Sequence, residues 1–285
     1  METKITSATK EVIISDDRPV VLIGERINPS GKKKLGESLK EGNLDIVRKE
    51  AKNQTEAGAD ILDVNVNVFG IDEPALLPKA VKAVMETSDL PLCIDSAIPE
   101  ALEAAIKTYK GKPLINSVTG EEHSMEKILP IIKKYGTAVV GLVQDDNGIP
   151  KTPEARLAVA KKIVERAEKL GIPREDIIID CLCLAVGAES ASGTTALGTI
   201  QLIKRELGVN MTLAVSNISF GMPDRDLLNN AFVAACIAAG ITCVIVDTKK
   251  IRPAVQAADI VMNHDKHARR YMESYRKRQQ EQAQQ

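Results

Sequence analysis

The chain has 285 residues, a length that suits one large α/β barrel or two small domains. Hydrophobic residues make up 44%, charged residues 27% and aromatics 2%, with no Trp, so the core of this enzyme-like composition has to be built from Val, Ile, Leu and Ala. A formal net charge of −1 gives no sign of a surface for nucleic acid or membrane, and no run reaches the roughly 18 apolar residues of a membrane-spanning helix.

The opening segment, METKITSATKEVIISDD, holds no apolar run suited to a signal peptide, which predicts a cytoplasmic protein. PVVLIG (19–24) is the first strand-like run, and LDIVRKEAKNQTEAG (44–58) follows as a helix that places Ile46, Val47 and Ala51 on one face and ends at Gly58. DILDVNV (60–66) and LPLCID (90–95) are the next strands, then helix 98–109, strand KPLIN (112–116), helix 124–136 and strand AVVGLV (138–143). TPEARLAVAKKIVERAEKLG (152–171) is the longest helix, with a Thr N-cap, Pro at its first position and Gly at its end. DIIID (176–180), helix 194–208, MTLAVS (211–216), helix 224–240, TCVIVD (242–247) and helix 251–263 complete the series. The strands are nearly continuously apolar and β-branched, as strands covered on both faces are. Eight β-α units without a linker predict a single (β/α)8 TIM-type barrel over residues 1–265, in preference to a doubly wound open sheet. The tail 266–285 reads as a charged, solvated helix that frays, with dimerisation or docking as the other use for it. Cys93, Cys181, Cys183, Cys236 and Cys243 are odd in number and sit mostly in apolar runs, which predicts free buried thiols.

In such a barrel the site forms at the C-terminal ends of the strands. There the sequence delivers Glu25, Arg26 and Asn28, then Asp63, Asn65 and Asn67, then Asp95-Ser96, Asn116-Ser117, Gln144 to Asn147, Asp180, Ser216-Asn217 and Asp247. A carboxylate at the end of an apolar strand is partly desolvated and needs a partner. Capping the next helix explains any one of Asp95, Asn116, Asp180 and Asn217, but four together on one rim are harder to explain that way. The rim lacks GxxxxGK[ST], GxGxxG and clustered cations, so it does not suit a phosphate. It suits a ring with several N–H donors, because a carboxylate accepts two parallel N–H bonds from a 2-amino-pyrimidinone edge.

The runs GERIN (24–28), DVNVN (63–67), CIDSA (93–97), INSVTGE (115–121), GIP (148–150), IIIDCL (177–182) and SNISFG (216–221) resemble those of the pterin-binding methyltransferases. That family includes the methyltetrahydrofolate:corrinoid protein methyltransferases and the folate domain of cobalamin-dependent methionine synthase, and the resemblance runs in order from about residue 20 to 263. It implies methyl transfer between tetrahydrofolate and a corrinoid (cobalamin) carried by a partner protein, with the folate as substrate, no bound metal and a homodimeric enzyme. By resemblance, Asp180 anchors the pterin amino group and neighbouring ring N–H, Asp95 and Asn116 contact the other edge, and Asn217 approaches the methylated ring nitrogen. Asp95 and Asn217 are the catalytic candidates. Asn28, Asp63 and Arg225 are further pterin-site candidates, Arg225 having pairing with Asp224 or a neighbour as its alternative. Phe220 departs from a polar residue in some relatives.

Four other readings are weighed. Dihydropteroate synthase shares the barrel, but its pyrophosphate leaving group asks for a Lys/Arg cluster where SNISFGMPDR offers one arginine. The Cys181-x-Cys183 pair lacks further soft ligands nearby, so core thiols are preferred to a metal site. Asp265-x-His267-x-x-Arg270 echoes a cobalt-ligating D-x-H-x-x-G motif but lacks its glycine, and is taken as chance. A non-catalytic pterin-binding subunit is disfavoured by the presence of both Asp180 and Asn217.

Overall fold

The structure, a computed structural model, describes residues 1–283. Eight parallel strands form the barrel: β3 (Val21–Ile27), β4 (Ile61–Asn65), β5 (Leu92–Asp95), β6 (Leu114–Thr119), β7 (Ala138–Leu142), β8 (Ile177–Asp180), β9 (Asn210–Thr212) and β10 (Cys243–Val246). Consecutive strands pair in order from β3 to β9, and β10 returns to pair with β3. Closure between β9 and β10 rests on a few bonds: the Thr242 amide donates to Met211 O at 3.3 Å and the Ile245 amide to Leu213 O at 3.0 Å. The (β/α)8 architecture expected from the apolar runs is the one present.

Helices α1 (Lys33–Lys40), α2 (Asp45–Glu56), α3 (Glu73–Met85), α4 (Pro99–Thr108), α5 (Glu122–Tyr135), α6 (Pro153–Lys169), α7 (Ser192–Glu206), α8 (Arg225–Ala239) and α9 (Thr248–Val261) cover the outside. Both α1 and α3 are absent from the sequence reading. The α3 segment carries Pro74 and Pro78, which argue against a helix; Pro74 sits in the first turn, where no N–H is missed, and Asp72 caps the start by accepting from Ala75 N.

Residues that alternate into the lumen form its lower layer. Val21, Ile23, Ile61, Cys93, Leu114, Ala138, Val140, Ile178, Cys243 and Ile245 pack together there, filling the space that aromatics would otherwise take. An antiparallel hairpin, β1 (Thr3–Thr6) with β2 (Glu11–Ile14), closes this end, and the sequence reading did not foresee it. Ile5 and Ile14 plug the lumen, each burial contributing about 1.5–3 kcal/mol, and Asn210 at the start of β9 donates to Thr3 Oγ1 and Ile14 O, both at 2.9 Å.

The tail forms α10 (Arg269–Ala283); Gln284 and Gln285, the end of the charged tail, lie outside the described residues. Asp265 caps α10, its two carboxylate oxygens accepting from the Arg270 and Tyr271 amides at 3.1 and 3.0 Å. The Asp265 and His267 pair is thus a helix start, and Arg270 reaches Asp60 at 3.2 Å, away from the barrel mouth. Among the described residues no helix is long and apolar enough to cross a membrane.

Candidate active site

Strand alternation that buries apolar residues low in the lumen raises polar ones two residues later. Ile61 precedes Asp63 and Asn65, Cys93 precedes Asp95, Leu114 precedes Asn116, and Ile178 precedes Asp180. Asn65, Asp95 and Asn116 stand in register on three adjacent strands. Asp63 is buried beneath them and receives Asn116 Nδ2 at 3.5 Å.

The electrostatics follow from this crowding. Burial pushes the Asp63 carboxyl well above the usual carboxylate range, and the charge of Asp95 adds to the effect. Burial raises Asp95 to about 6, against a hydrogen bond from Asn65 and with Glu73 adding repulsion. Glu73 is held by Ser96 Oγ, which donates to it from the loop after β5. Asp180 is also raised to about 6 by burial, opposed by the Leu182 amide and by the positive charge of Arg156. Leu182 N donates to Asp180 Oδ1 at 2.7 Å from a left-handed backbone conformation, φ 55°. These carboxylates are short of N–H donors, so a ligand that supplies them has the chemistry the rim lacks.

The opposite wall comes from β3 and the loop after β9. Gly24 opens the GERIN run because a Cβ there would collide with the Gln54 carboxamide, whose Oε1 accepts from the Arg26 amide at 2.9 Å. Glu25, raised by burial, accepts from Ser216 Oγ at 3.0 Å. Asn28 is half-buried beyond the end of β3, and its Oδ1 accepts from the Ser30 amide at 3.0 Å, a local turn bond. The run 211–216, read as strand to its end, is regular strand only to Thr212; Ala214 still bridges Ile245 of β10, and Val215–Ser219 turns away as a 3-10 helix. Val215 and Ile218, three apart, are both buried, which is the spacing such a turn puts on one side.

That turn carries Asn217 exposed at the rim, and its side chain makes no hydrogen bond among the described residues. Arg225, also exposed, does not pair with Asp224: its Nη2 donates to Ser216 O at 2.8 Å and its Nε to Ser219 Oγ at 3.0 Å, bracing the Asn217 turn. Phe220 is 72% exposed, with the Arg225 guanidinium 5.9 Å from its ring centroid.

The structure therefore brings Asp63, Asp95 and Asn116 together on adjacent strands, sets Asp180 at the end of β8, and places Asn217, Arg225 and Asn28 on the loops around them. All five cysteines are free and buried. Arg156 escaped the sequence reading. It is 2% exposed and reaches the loop after β8 from α6. The signal was present, since positions 156, 159, 160, 163, 164 and 167 form the buried stripe of that helix and Arg156 begins it.

A (β/α)8 barrel whose mouth carries buried carboxylates beside half-buried and exposed amides has the chemistry to receive a flat, donor-rich ring. Residues 24–247 match the family described as pterin binding enzymes, and the chain belongs to that family. It is 32% identical over 266 residues to the methylcorrinoid:tetrahydrofolate methyltransferase of Eubacterium limosum, covering 90% of this chain and 96% of that protein. It is 31% identical over 265 residues to methionine synthase of Mycobacterium leprae (strain TN), covering 88% of this chain and 22% of that protein. Among solved structures, the dihydropteroate synthase of Yersinia pestis with a pterine-sulfa conjugate superposes with a TM-score of 0.71 at 16% identity, covering 92% of this chain and 99% of that one. The synthase of Xanthomonas albilineans with 7,8-dihydropteroate gives 0.67 at 20% identity, covering 91% and 98%. These two likenesses show the shared barrel.

Proposed function

We propose that this enzyme moves a methyl group between tetrahydrofolate and the cobalt of a separate corrinoid protein. The observation that carries the reading is the 32% identity to a methylcorrinoid:tetrahydrofolate methyltransferase across 96% of that protein's length. The chemistry of the rim agrees with it.

On this reading Asp180 accepts the pterin amino group and adjacent ring N–H, while Asp95 and Asn116 meet the other edge of the ring over the buried Asp63. The pterin supplies the donors that the carboxylates lack, so binding relieves part of their desolvation cost. Asn28 lies at the β3 side of the mouth. Asn217 stands at the methylated nitrogen on a turn braced by Arg225. As the methyl carbon passes to cobalt, the carbon–nitrogen bond breaks and the nitrogen keeps its electron pair and holds a proton taken from solvent. An amide carbonyl at that nitrogen stabilises the proton more as the bond breaks than before, which lowers the barrier without a strong general acid. The reverse transfer uses the same contacts. No protein side chain acts as nucleophile.

Synthesis of dihydropteroate fits less well. A pyrophosphate leaving group needs cations, and the loop 216–225 offers Arg225 alone, whose guanidinium is engaged by Ser216 and Ser219. In our reading the enzyme is cytoplasmic and homodimeric, acts on a folate and a corrinoid protein, binds no metal of its own, and handles neither nucleic acid nor membrane. Residues 1–265 form the catalytic barrel and 266–285 an appended tail. Calorimetric titration with methyltetrahydrofolate tests the premise: saturable binding is expected, and its absence would remove the folate from this account.

A further inference from the structure

Arg156 is a buried cation that forms no ion pair among the described residues. At 2% exposure it is the largest of the fully buried side chains among the described residues. Burying a guanidinium this deeply is costly unless its N–H groups are satisfied, and here backbone carbonyls take three of the five. Nε donates to Pro150 O at 3.0 Å, and Nη1 donates to Cys181 O at 3.0 Å and Leu182 O at 2.7 Å. One planar fork thereby ties the loop after β7 to the loop after β8. Thr152 caps α6 by accepting from Ala155 N, fixing the turn from which Arg156 projects.

The clamped loop acts on Asp180. Leu182 sits at φ 55°, a conformation that a leucine adopts only under constraint, and its amide, in one peptide plane with the Cys181 carbonyl that Arg156 holds, donates to Asp180 Oδ1 at 2.7 Å. The two carbonyls held by Arg156 belong to Cys181 and Leu182, the residues that make this turn.

We propose that Arg156 is a positioning residue for the pterin anchor: by clamping the 181–182 backbone it aims the Leu182 amide at Asp180, and its charge keeps that carboxylate ready to receive a ligand's N–H groups. This rests on Asp180 being the anchor. Burial drives Asp180 toward its neutral form, and both the Leu182 amide and the Arg156 charge oppose it. Loss of the clamp removes both influences at once. The ionised form is the one that binds, so affinity is present above the Asp180 titration and lost as pH falls through it. Without Arg156 that loss begins at a higher pH.

The test is the pH dependence of methyltetrahydrofolate binding, measured by calorimetry from pH 5.5 to 8.5 on wild type, Arg156→Met and Arg156→Lys. For Arg156→Met the acid limb of the affinity curve should move up by about one pH unit, with affinity at pH 7.5 lowered about ten-fold. Arg156→Lys keeps the charge but lacks the planar fork, so its limb should move in the same direction by less. A purely structural role would lower stability and affinity while leaving the limb in place. An acid limb that coincides with wild type in the folded variants overturns the proposal, and if Arg156→Met does not fold, the Lys variant alone decides. Asp180→Asn is measured alongside: unchanged affinity there overturns the anchor itself, whereas lost affinity there with unmoved limbs in the Arg156 variants overturns only this inference.

Discussion

The amide of Leu182 donates to Asp180 Oδ1 at 2.7 Å, so the carboxylate at the end of β8 enters any ligand complex with one oxygen already oriented by the backbone. This carboxylate accepts one amide inside the protein, and an ionised carboxylate has about four acceptor sites. Its other acceptor sites take no hydrogen bond among the described residues, which makes Asp180 the residue whose replacement is most informative.

Asp180→Asn should weaken methyltetrahydrofolate binding by about 2–4 kcal/mol, the range for losing a charge-assisted buried hydrogen-bond pair. Calorimetric affinity at pH 7.5 measures it. Unchanged affinity would place the anchor elsewhere on the rim.

The same substitution should stabilise the ligand-free enzyme at neutral pH. Burial raises Asp180 from 3.8 to about 6, so the folded state favours the proton. The contribution of such a group is fully present below 3.8 and is lost as pH rises from there through about 6. A neutral Asn escapes that loss. The Tm of Asp180→Asn should therefore exceed wild type at pH 7.5, with the gap closing toward pH 4. A variant less stable than wild type at pH 7.5 would mean that Asp180 is held ionised by stronger partners than Leu182 and Arg156.

Asn217→Ala should lower the rate of methyl transfer far more than the affinity for folate. Its side chain is exposed and makes no hydrogen bond among the described residues, so its removal leaves nothing unpaired in the free enzyme. A contact made mainly in the transition state appears in kcat and kcat/KM together. Equal losses in rate and binding would assign Asn217 to simple ground-state binding.

The tail offers a control remote from the mouth. Asp265→Ala removes both carboxylate bonds to the first turn of α10 and should cost about 1 kcal/mol of stability, the usual loss for a helix cap. Denaturant unfolding reads this, and transfer activity should not change. A lost activity would tie the tail to catalysis.

Much of this was legible in the sequence because parallel strands covered on both faces announce themselves as apolar runs, and because the last inward position of each strand is by geometry a rim position. Asp95, Asn116 and Asp180 follow from that rule alone. The hairpin was not legible: TKIT and EVII are four-residue strands whose apolar face has meaning only once a lumen exists for Ile5 and Ile14 to fill. The apolar run 211–216 reads as strand throughout, yet Val215 and Ile218 find burial by turning out of the sheet, which moves Asn217 from a strand end to a turn. Arg156 was hidden because a cation four residues after a helix cap normally faces water. Its place in the buried stripe of α6 becomes meaningful only when the carbonyls of the β8 loop are seen above it.

Methyl transfer itself tests the account most directly. Under anaerobic conditions the enzyme is mixed with methyltetrahydrofolate and cob(I)alamin, then with tetrahydrofolate and methylcobalamin, and finally with a corrinoid protein, while the cobalt absorption bands are followed. The account predicts an enzyme-dependent change of cobalt state with methyl appearing on the acceptor in at least one of these mixtures. Folate binding without transfer in any of them, the corrinoid protein included, would contradict it.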